Sequence, residues 1–132
     1  VYICVPTPRG NDGSCDISIV REVIDDLKER NYTGIIAIKS TVAPGTTEAL
    51  RETTGMNLCF VPEFLRERCA ITDFTENHDV CIIGCEDDET YETIKECQEN
   101  IRNWKYVVGL PDELMEEAED KPGLEENLDP YE

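Results

Sequence analysis

The sequence predicts an α/β fold with a mostly parallel sheet, flanking helices and an acidic C-terminal tail. Short apolar runs recur along the chain, and most of them stop at Pro, Gly or a polar turn. Between these runs, apolar residues return every three or four positions, as they do on one face of a helix. Short strands that alternate with helices are typical of βαβ units, in which the strands run parallel.

The first strand is predicted at residues 1–5, an apolar run that ends at Pro6. A stretch rich in turn-forming residues follows. A helix is then expected to begin at Asp16 or Ser18, and Asn31 marks its end. Residues 34–38 are the second predicted strand.

The middle of the chain predicts a short helix and a third strand. Residues 43–47 form a Pro-Gly turn that ends in a threonine cap, and residues 48–52 follow as the helix. Residues 58–61 are the third strand, and residues 64–70 are expected to form a short helical loop.

The remaining elements are a fourth strand at residues 79–84 and a helix capped by Asp87 or Asp88. The apolar stripe predicted for this helix comprises Thr90, Ile94, Cys97, Ile101 and Trp104. A last short strand is expected at residues 106–108, and residues 113–119 are a candidate short helix.

The charge distribution divides the chain into a domain at residues 1–110 and an acidic tail at residues 111–132, which is expected to be flexible or partner-bound. The formal net charge is −18, and residues 112–132 contain ten acidic residues and one basic residue. Nucleic-acid binding needs a basic surface, so we expect no nucleic-acid partner. The tail is interpreted as a solvated solubilising segment, with an interaction tail or a mimic of nucleic-acid charge as alternatives.

Cysteine usage favours a reducing compartment. Three of the seven cysteines, Cys4, Cys59 and Cys81, lie inside apolar runs, where a thiol behaves as a small core hydrophobe. The sequence contains no CxxC pair, and His78 is its single histidine, so no metal site is expected. Unpaired thiols are typical of a cytoplasmic protein.

Targeting signals are not evident. No apolar run is long enough to span a membrane, so no membrane partner is expected, and no basic-then-apolar leader precedes the first strand. The chain opens with Val1 directly inside a strand, which suggests a trimmed or partial sequence. A cytoplasmic location is expected, with a virion-associated protein as the alternative.

Polar residues follow three of the predicted strands, and they are the candidate site. In parallel sheets ligands bind at the carboxyl ends of strands, which places Thr7, Thr41 and Glu63 on one edge. A strand stop also explains Val5-Pro6-Thr7-Pro8, and a turn with a helix cap explains residues 39–47. Glu63 and Glu67 would share one face of a helix, as base and binder, or would form a surface salt network with Arg66.

Taken together and in this order, the segments resemble the UDP-glucose/GDP-mannose dehydrogenase family. The matching stretches are ICVPTP at 3–8, DGSCDIS at 12–18, IKSTVAPGTT at 38–47, VPEFLRERCAITDF at 61–74 and VCIIG at 80–84. The resemblance covers roughly residues 1–85. It implies a partial Rossmann-like domain, an NAD cofactor and oxidation of a UDP-sugar at its C6 hydroxyl to a uronic acid.

The resemblance also implies roles for individual residues. Thr7 would line the NAD site, Ser40 and Thr41 would face the nicotinamide, and Thr41 would help to hold the catalytic water. Glu63 would be the base that assists hydrolysis of the covalent intermediate. The remaining carried-over residues are Phe64, Leu65 and Arg66 beside the nucleotide sugar, and Glu67 at the cofactor or substrate.

The departures from the family pattern suggest a catalytically incomplete chain. Arg68 stands where the family has glycine, and Cys15 and Cys69 occupy positions without a catalytic role in that pattern. The family's GxGxxG turn, its helical-domain Lys and Asn, and its C-terminal cysteine loop have no counterpart in this sequence. The glycine turn anchors the pyrophosphate, and the thiol carries the covalent intermediate, so the isolated chain is expected to be inactive.

Two broad interpretations stay open. The chain is a piece of an active dehydrogenase, or it is a repurposed remnant, for example in a virus, that uses its fold and tail for binding or assembly. In either case, an unpaired edge strand at residues 1–5 or 35–38 predicts a homo-oligomer or a larger assembly.

Overall fold

The computed structural model describes residues 1–77 and 79–110. Its centre is a five-stranded sheet with the strands in chain order: β1 (Tyr2–Ile3), β2 (Ile36–Ile38), β3 (Leu58–Phe60), β4 (Val80–Gly84) and β5 (Tyr106–Leu110). Strands β1 to β3 run parallel, and so do β4 and β5, whereas β3 and β4 are antiparallel through the pair Phe60 and Gly84. The predicted mostly parallel sheet is confirmed, with one reversal between its two parts.

The helices lie between the strands, as the alternating pattern predicts. They are α1 (Ser18–Glu29), α2 (Thr46–Thr54), the single turn α3 (Ala70–Thr72) and α4 (Asp88–Ile101). A 3₁₀ turn (Glu67–Cys69) and a π turn (Asp73–Asn77) flank α3. We call residues 67–77 the irregular helical segment.

Helix α1 begins at the second of its two predicted starts. The carboxylate of Asp16 accepts the backbone N–H of Ser18 at 2.9 Å, which satisfies one of the unpaired donors of the first turn. Val20 and Ile24, four residues apart, are buried against the sheet. The chain leaves the helix at Asn31 in a left-handed conformation with φ of 56°, so this predicted stop is confirmed.

Helix α2 is longer than predicted, and the predicted threonine cap is wrong. The residue before the helix is Gly45, which has φ of 83° and contributes no side-chain cap. A residue with a Cβ disfavours this conformation, so the sharp entry into the helix requires glycine and moves the start back to Thr46. Gly55, with φ of 69°, ends the helix in the manner of a left-handed C-cap.

The cap of α4 is Asp87, one of the two predicted candidates. Its carboxylate accepts the backbone N–H of Thr90 at 2.7 Å and the hydroxyl of Thr90 at 2.8 Å. These hydrogen bonds, the first to the backbone, hold the pKa of Asp87 below its usual value. Asp88 is instead the first residue of the helix.

The predicted stripe of α4 is partly wrong. Ile94 is buried, but Cys97 and Ile101 are exposed, and Gln98 takes the inward position one residue further on. The Gln98 amide donates to the Tyr2 hydroxyl at 3.0 Å, which ties α4 to β1. An amide with a partner can occupy a buried position at little cost, and hydrophobic periodicity does not register it.

The sheet has one core on each face, because successive residues of a strand point to opposite sides. The core under α1 and α2 comprises Ile3, Val20, Ile24, Ile36, Ile38, Leu50 and Leu58. The core under α4 comprises Ala37, Cys59, Val61, Cys81, Ile83, Cys85 and Ile94.

Two of the three cysteines predicted to be core residues are buried, Cys59 and Cys81, whereas Cys4 is exposed. Cys4 directly follows Ile3, which points into the core, so the thiol faces outward. Cys85, which no apolar run marked, is buried. All seven cysteines are free thiols.

Strand β1 is one edge of the sheet, whereas β2 lies between β1 and β3, so residues 35–38 are not an edge and that alternative is wrong. Among the described residues, no helix is both long and apolar enough to cross a membrane. The proposed tail at residues 111–132, including the candidate helix at 113–119, lies outside the described residues.

Candidate functional site

The first part of the candidate site is a junction between the segments that follow β1 and β2. The Thr7 hydroxyl donates to the backbone carbonyl of Thr41 at 2.6 Å. The thiol of Cys15 lies 3.4 Å from the same carbonyl and 3.9 Å from the carbonyl of Thr7. The structure therefore brings Thr7 and Thr41 together, and the parallel course of β1 and β2 is the reason.

Ser40 links the two segments one residue before Thr41. It is buried, and its hydroxyl accepts the backbone N–H of Val5 at 2.9 Å and donates to the carbonyl of Val5 at 2.7 Å. The hydroxyl thus takes the place of the backbone hydrogen bonds that would continue the pairing of β1 with β2. Thr41 is exposed, so of these two residues it is Thr41 whose hydroxyl is accessible from solvent.

Glu63 borders a small cavity at the end of β3. The cavity has a volume of about 20 Å³, enough for roughly one water molecule. Lys39, next to the end of β2, shares its wall with Glu63. The other lining residues are Pro62, Phe64, Leu65, Phe74, Val80, Cys81, Gln98 and Trp104. Thr41 does not line this cavity, so Thr41 and Glu63 share an edge of the sheet but not a single pocket.

The ring of Trp104 and the ring of Phe74 close one side of this cavity. They meet edge to face with centroids 5.6 Å apart. The guanidinium of Arg102 stacks on Trp104 at 4.4 Å from its centroid and donates to the carbonyl of Phe74. The contact joins the end of α4 to the irregular helical segment and holds the cavity wall in place.

Arg66 pairs with Asp73, and neither predicted salt network, Glu63–Arg66 or Arg66–Glu67, is present among the described residues. The Asp73 carboxylate accepts Arg66 Nε at 3.0 Å, Arg66 Nη2 at 2.8 Å and the Arg66 backbone N–H at 3.0 Å. It also accepts the Asn77 amide at 2.9 Å. These bonds, those of the Arg66 side chain first, hold the pKa of Asp73 far below its usual value.

The predicted helical pairing of Glu63 with Glu67 is wrong. Arg66 has extended dihedrals, φ of −85° and ψ of 130°, and the helical turn starts only at Glu67. Residues 62–66 are neither helix nor strand, and we call them the strap. Its members Glu63, Phe64 and Arg66 are exposed, as are Glu67 and Arg68 beyond it, while Leu65 is half-buried.

A nicotinamide cofactor would meet the ends of β1 and β2, as ligands of parallel sheets do. There the described residues offer the exposed side chain of Thr41 and a backbone turn closed by Thr7. The sequence has no GxGxxG turn to bind a pyrophosphate. The fit is therefore partial. Among the described residues, no group of three His, Cys, Asp or Glu side chains is placed to hold a metal ion.

Four residues of this region were not among the predicted site residues: Lys39, Asp73, Gln98 and Trp104. Lys39 follows β2 and Glu63 lies shortly after β3. Because these two strands are parallel neighbours, both residues reach the same end of the sheet and line the same cavity. Asp73 lies seven residues after its partner, and in a regular helix that separation would span about 10 Å, too far for direct hydrogen bonds. Only the irregular path of residues 67–77 brings the two together.

The chain matches the family model for the UDP-glucose/GDP-mannose dehydrogenase family, NAD binding domain, over residues 1–102. It is similar to a UDP-glucose 6-dehydrogenase of Haloferax volcanii, with 31% identity over 110 residues that cover 72% of this chain and 25% of that protein. A UDP-glucose 6-dehydrogenase of Pseudomonas aeruginosa is 35% identical over 108 residues, which cover 73% of this chain and 24% of that protein.

Solved structures agree with the fold. The chain resembles a UDP-glucose dehydrogenase from Pyrobaculum islandicum with a TM-score of 0.64 and 30% identity, covering 90% of this chain and 30% of that one. It also has the fold of a GDP-mannose dehydrogenase from Pseudomonas aeruginosa, with a TM-score of 0.67 and 24% identity, covering 90% of this chain and 30% of that one.

This chain spans about a quarter of the length of the curated relatives that it matches. The match includes every strand end from which the candidate site is built, because β1, β2 and β3 all lie within residues 1–102. On the family match and the shared fold together, the chain belongs to the UDP-glucose/GDP-mannose dehydrogenase family and corresponds to part of its NAD-binding domain.

Proposed function

We propose that the chain is the part of an NAD-dependent nucleotide-sugar 6-dehydrogenase, of the UDP-glucose type, that supplies one flank of the cofactor site and one wall of the sugar site. The observation that carries this proposal is the meeting of Thr7 and Thr41 at the ends of two parallel strands, with Glu63 at the end of the third. The relatives that support a UDP-sugar substrate are named UDP-glucose 6-dehydrogenase.

In this proposal Thr41 orients the water that attacks the substrate, and Glu63 takes its proton. Both suit these tasks, because Thr41 has an exposed hydroxyl and Glu63 an exposed carboxylate beside the Lys39 wall. Thr7 and Ser40 shape the cofactor flank through the junction rather than through free hydroxyls, since both hydroxyls donate to backbone carbonyls. Bound NAD would accept the hydride of the sugar.

The strap at residues 62–66 would carry the sugar nucleotide. Phe64 is 57% exposed, which is a large area for an aromatic ring and suits contact with a ligand. Leu65 and Arg66 follow it on the strap, and Glu67 starts the helical turn toward cofactor or substrate.

We further propose that this chain alone does not turn over substrate. Binding of a dinucleotide needs the glycine turn at a helix N-terminus, and double oxidation needs a covalent carrier. The sequence offers neither the GxGxxG turn nor a cysteine in the family's catalytic context. Catalytic groups that act as a unit lose nearly all activity when members are missing.

A chimera tests the proposal. Residues 1–102 would replace the matching segment of the Haloferax volcanii relative, and NAD reduction with UDP-glucose would be measured. We expect activity in the chimera and none in the isolated chain. In the chimera, Glu63→Gln should lower kcat about a hundredfold or more, the usual effect of losing a general base. Thr41→Ala should lower kcat with little change in KM.

Glu52→Gln, an exposed glutamate on α2, is the matched control and should leave kcat unchanged. A folded, active chimera in which Glu63→Gln behaves like Glu52→Gln would refute the role of Glu63. Activity of the isolated chain would refute its proposed incompleteness.

A second candidate is a non-enzymatic assembly protein that uses the same fold. The observation that favours it is the position of β1, whose outer side pairs with no strand in the described part of the chain and can accept a strand from another chain. The acidic tail would be a contact segment in this case, for example in a virion. For the dehydrogenase proposal a cytoplasmic location fits, since all seven cysteines are free thiols.

A further inference from the structure

Arg66 and Asp73 are an asymmetric pair. Only 2% of the Asp73 side chain is exposed, whereas 72% of the Arg66 side chain is exposed. The carboxylate thus lies inside the fold and the guanidinium stands at its surface. An ordinary surface ion pair, with both partners mobile in solvent, fixes neither side chain. Here the buried partner is fixed, and it imposes its position on the exposed one.

The contact is also a two-point contact. Nε and Nη2 of Arg66 each donate to a different oxygen of Asp73, at 3.0 and 2.8 Å. Two parallel bonds to a planar group define its orientation as well as its distance. The backbone N–H of Arg66 donates to the same carboxylate, so Asp73 fixes main chain and side chain together.

Two further side chains contact the Asp73 carboxylate. The Asn77 amide donates to Oδ1 of Asp73 at 2.9 Å, and the thiol of Cys69 lies 3.6 Å from Oδ2. Both supporting residues belong to the irregular helical segment, four residues before and after Asp73. This segment therefore folds around the carboxylate and presents it to the strap.

The guanidinium keeps free donors after this pairing. An arginine has five N–H donors, and the bonds to Asp73 use two of them. Within the described part of the chain, Nη1 has no acceptor, and the side chain is mostly exposed. The remaining donors therefore face outward in a fixed orientation, which is the geometry that a phosphate requires.

We propose that Asp73 is a positioning residue that holds the guanidinium of Arg66 as a fixed seat for a phosphate group of the nucleotide-sugar substrate. The proposal rests on the proposed function for the identity of the ligand. A chain with a net charge of −18 repels phosphates at long range, so a preset local cation is needed to bind one. Preorganisation removes the entropy that a free arginine would lose on binding.

The fixed orientation of Arg66 by Asp73 is tested first, without any ligand. In ¹⁵N-edited spectra of the full chain at neutral pH, we expect a sharp, slowly exchanging Nε–H signal that Arg66→Lys removes. Asp73→Asn should broaden that signal, while Asp79→Asn should leave it intact. Asp79 is the matched control because it pairs with Lys105 at 3.7 Å with both side chains exposed. A rapidly exchanging Arg66 signal in the wild-type chain would overturn the proposal.

The seat is tested by calorimetry with inorganic pyrophosphate and with UDP-glucose. Asp73→Asn should weaken pyrophosphate binding about tenfold, the usual effect of losing a charged hydrogen-bond arrangement. Arg66→Lys should weaken it similarly although the charge is kept. Asn77→Ala removes one support only and should give a smaller loss, which keeps the test available if Asp73→Asn does not fold.

The outcomes separate the two proposals. If the chain binds pyrophosphate through Arg66 but does not bind UDP-glucose, that result would support the phosphate seat and count against the nucleotide-sugar function. Equal pyrophosphate affinity of the wild-type chain and a folded Asp73→Asn variant overturns the positioning role. Failure of the wild-type chain to bind either compound overturns the seat as well.

Discussion

At the scale of single residues, burial decides which thiols are reactive. Cys59 is fully buried between β2 and β4, and desolvation raises its pKa to about 12. The thiolate is the nucleophile, so this cysteine is inert at neutral pH. Cys4 and Cys97 are exposed and are not protected by burial.

We therefore predict that iodoacetamide at mildly alkaline pH modifies Cys4 and Cys97 and leaves Cys59 unmodified. Peptide mass spectrometry after a short pulse measures the three rates. The same pulse in concentrated urea is the control and should label all three. Native-state labelling of Cys59 as fast as that of Cys4 would mean that β3 is not buried as described.

Asp73 makes stability depend on pH. Hydrogen bonds from Arg66 and Asn77 hold its pKa below the unfolded value of about 3.9. The unfolded chain then binds more protons than the folded chain as pH falls through this range. The contribution of Asp73 to stability is complete above about pH 4 to 5 and is lost progressively on acidification.

Urea unfolding of the wild-type chain and of Asp73→Asn at several pH values tests this dependence. The difference between the two midpoints should be largest near neutral pH and should shrink below about pH 4. Asp79→Asn, the same change in an exposed pair, should give a small and nearly constant difference. A gap between wild type and Asp73→Asn that widens on acidification would contradict the assigned direction of the pKa shift.

At the scale of elements, local sequence signals predicted which segments form strands and helices, but not all of their contacts. Asp87 and Asn31 could be predicted as helix boundaries because a cap acts on its own neighbours. The reversal between β3 and β4 could not, because strand direction depends on the path of residues 61–79. The Arg66–Asp73 pair escaped prediction for the same reason, since an irregular turn sets its geometry.

The inward position of Gln98 illustrates a different limit. Hydrophobic periodicity placed Cys97 and Ile101 in the core, yet both are exposed, and a polar residue with a tyrosine partner is buried instead. Periodicity identifies the apolar members of a helix face, but it cannot identify a polar residue whose hydrogen bonds are completed by another element.

Helix α4 therefore offers a matched pair of isoleucines. Ile94 is 6% exposed and belongs to the core under α4, whereas Ile101 is 55% exposed. We expect Ile94→Ala to lower the free energy of unfolding by about 2–5 kcal/mol, the range for a buried isoleucine. Ile101→Ala should change it by about 0.5 kcal/mol or less. Chemical denaturation measures both free energies. Equal losses would mean that Ile101 is buried as the sequence pattern predicts.

At the start of α4, the capping hydrogen bond of Asp87 can be distinguished from the effect of its negative charge. Asp87→Ala removes the acceptor of the Thr90 N–H and should cost about 1 kcal/mol of unfolding free energy. Asp87→Asn keeps a good capping oxygen and should cost clearly less. Asp88→Ala, one residue further into the helix, is the control for charge at the first turn. A larger loss for Asp88→Ala than for Asp87→Ala would assign the cap to the other aspartate.

At the scale of the whole molecule, β1 is an edge strand: among residues 1–77 and 79–110, no strand pairs with its outer side. The carbonyls of Val1 and Ile3 accept the N–H groups of Ala37 in β2 and of Lys39 just after it, and the N–H of Val5 donates to the Ser40 hydroxyl. Odd residues of this segment therefore face β2. In a strand, backbone groups of alternate residues point to opposite neighbours, so Tyr2 and Cys4 direct theirs away from the sheet. An edge of this kind is a template for a strand from another chain.

We predict that the 15.0 kDa chain self-associates through this edge, and that Cys4→Pro abolishes the association by removing an outward N–H. Sedimentation equilibrium measures the assembly state, and circular dichroism checks that the variant folds. Cys4→Ser keeps the N–H and controls for loss of the thiol, so it should associate like the wild type. Removal of residues 111–132 separates the edge from the acidic segment, and association should persist because β1 supplies the contact. A wild-type chain that sediments as a monomer, or a folded Cys4→Pro variant that still assembles, would contradict pairing at β1.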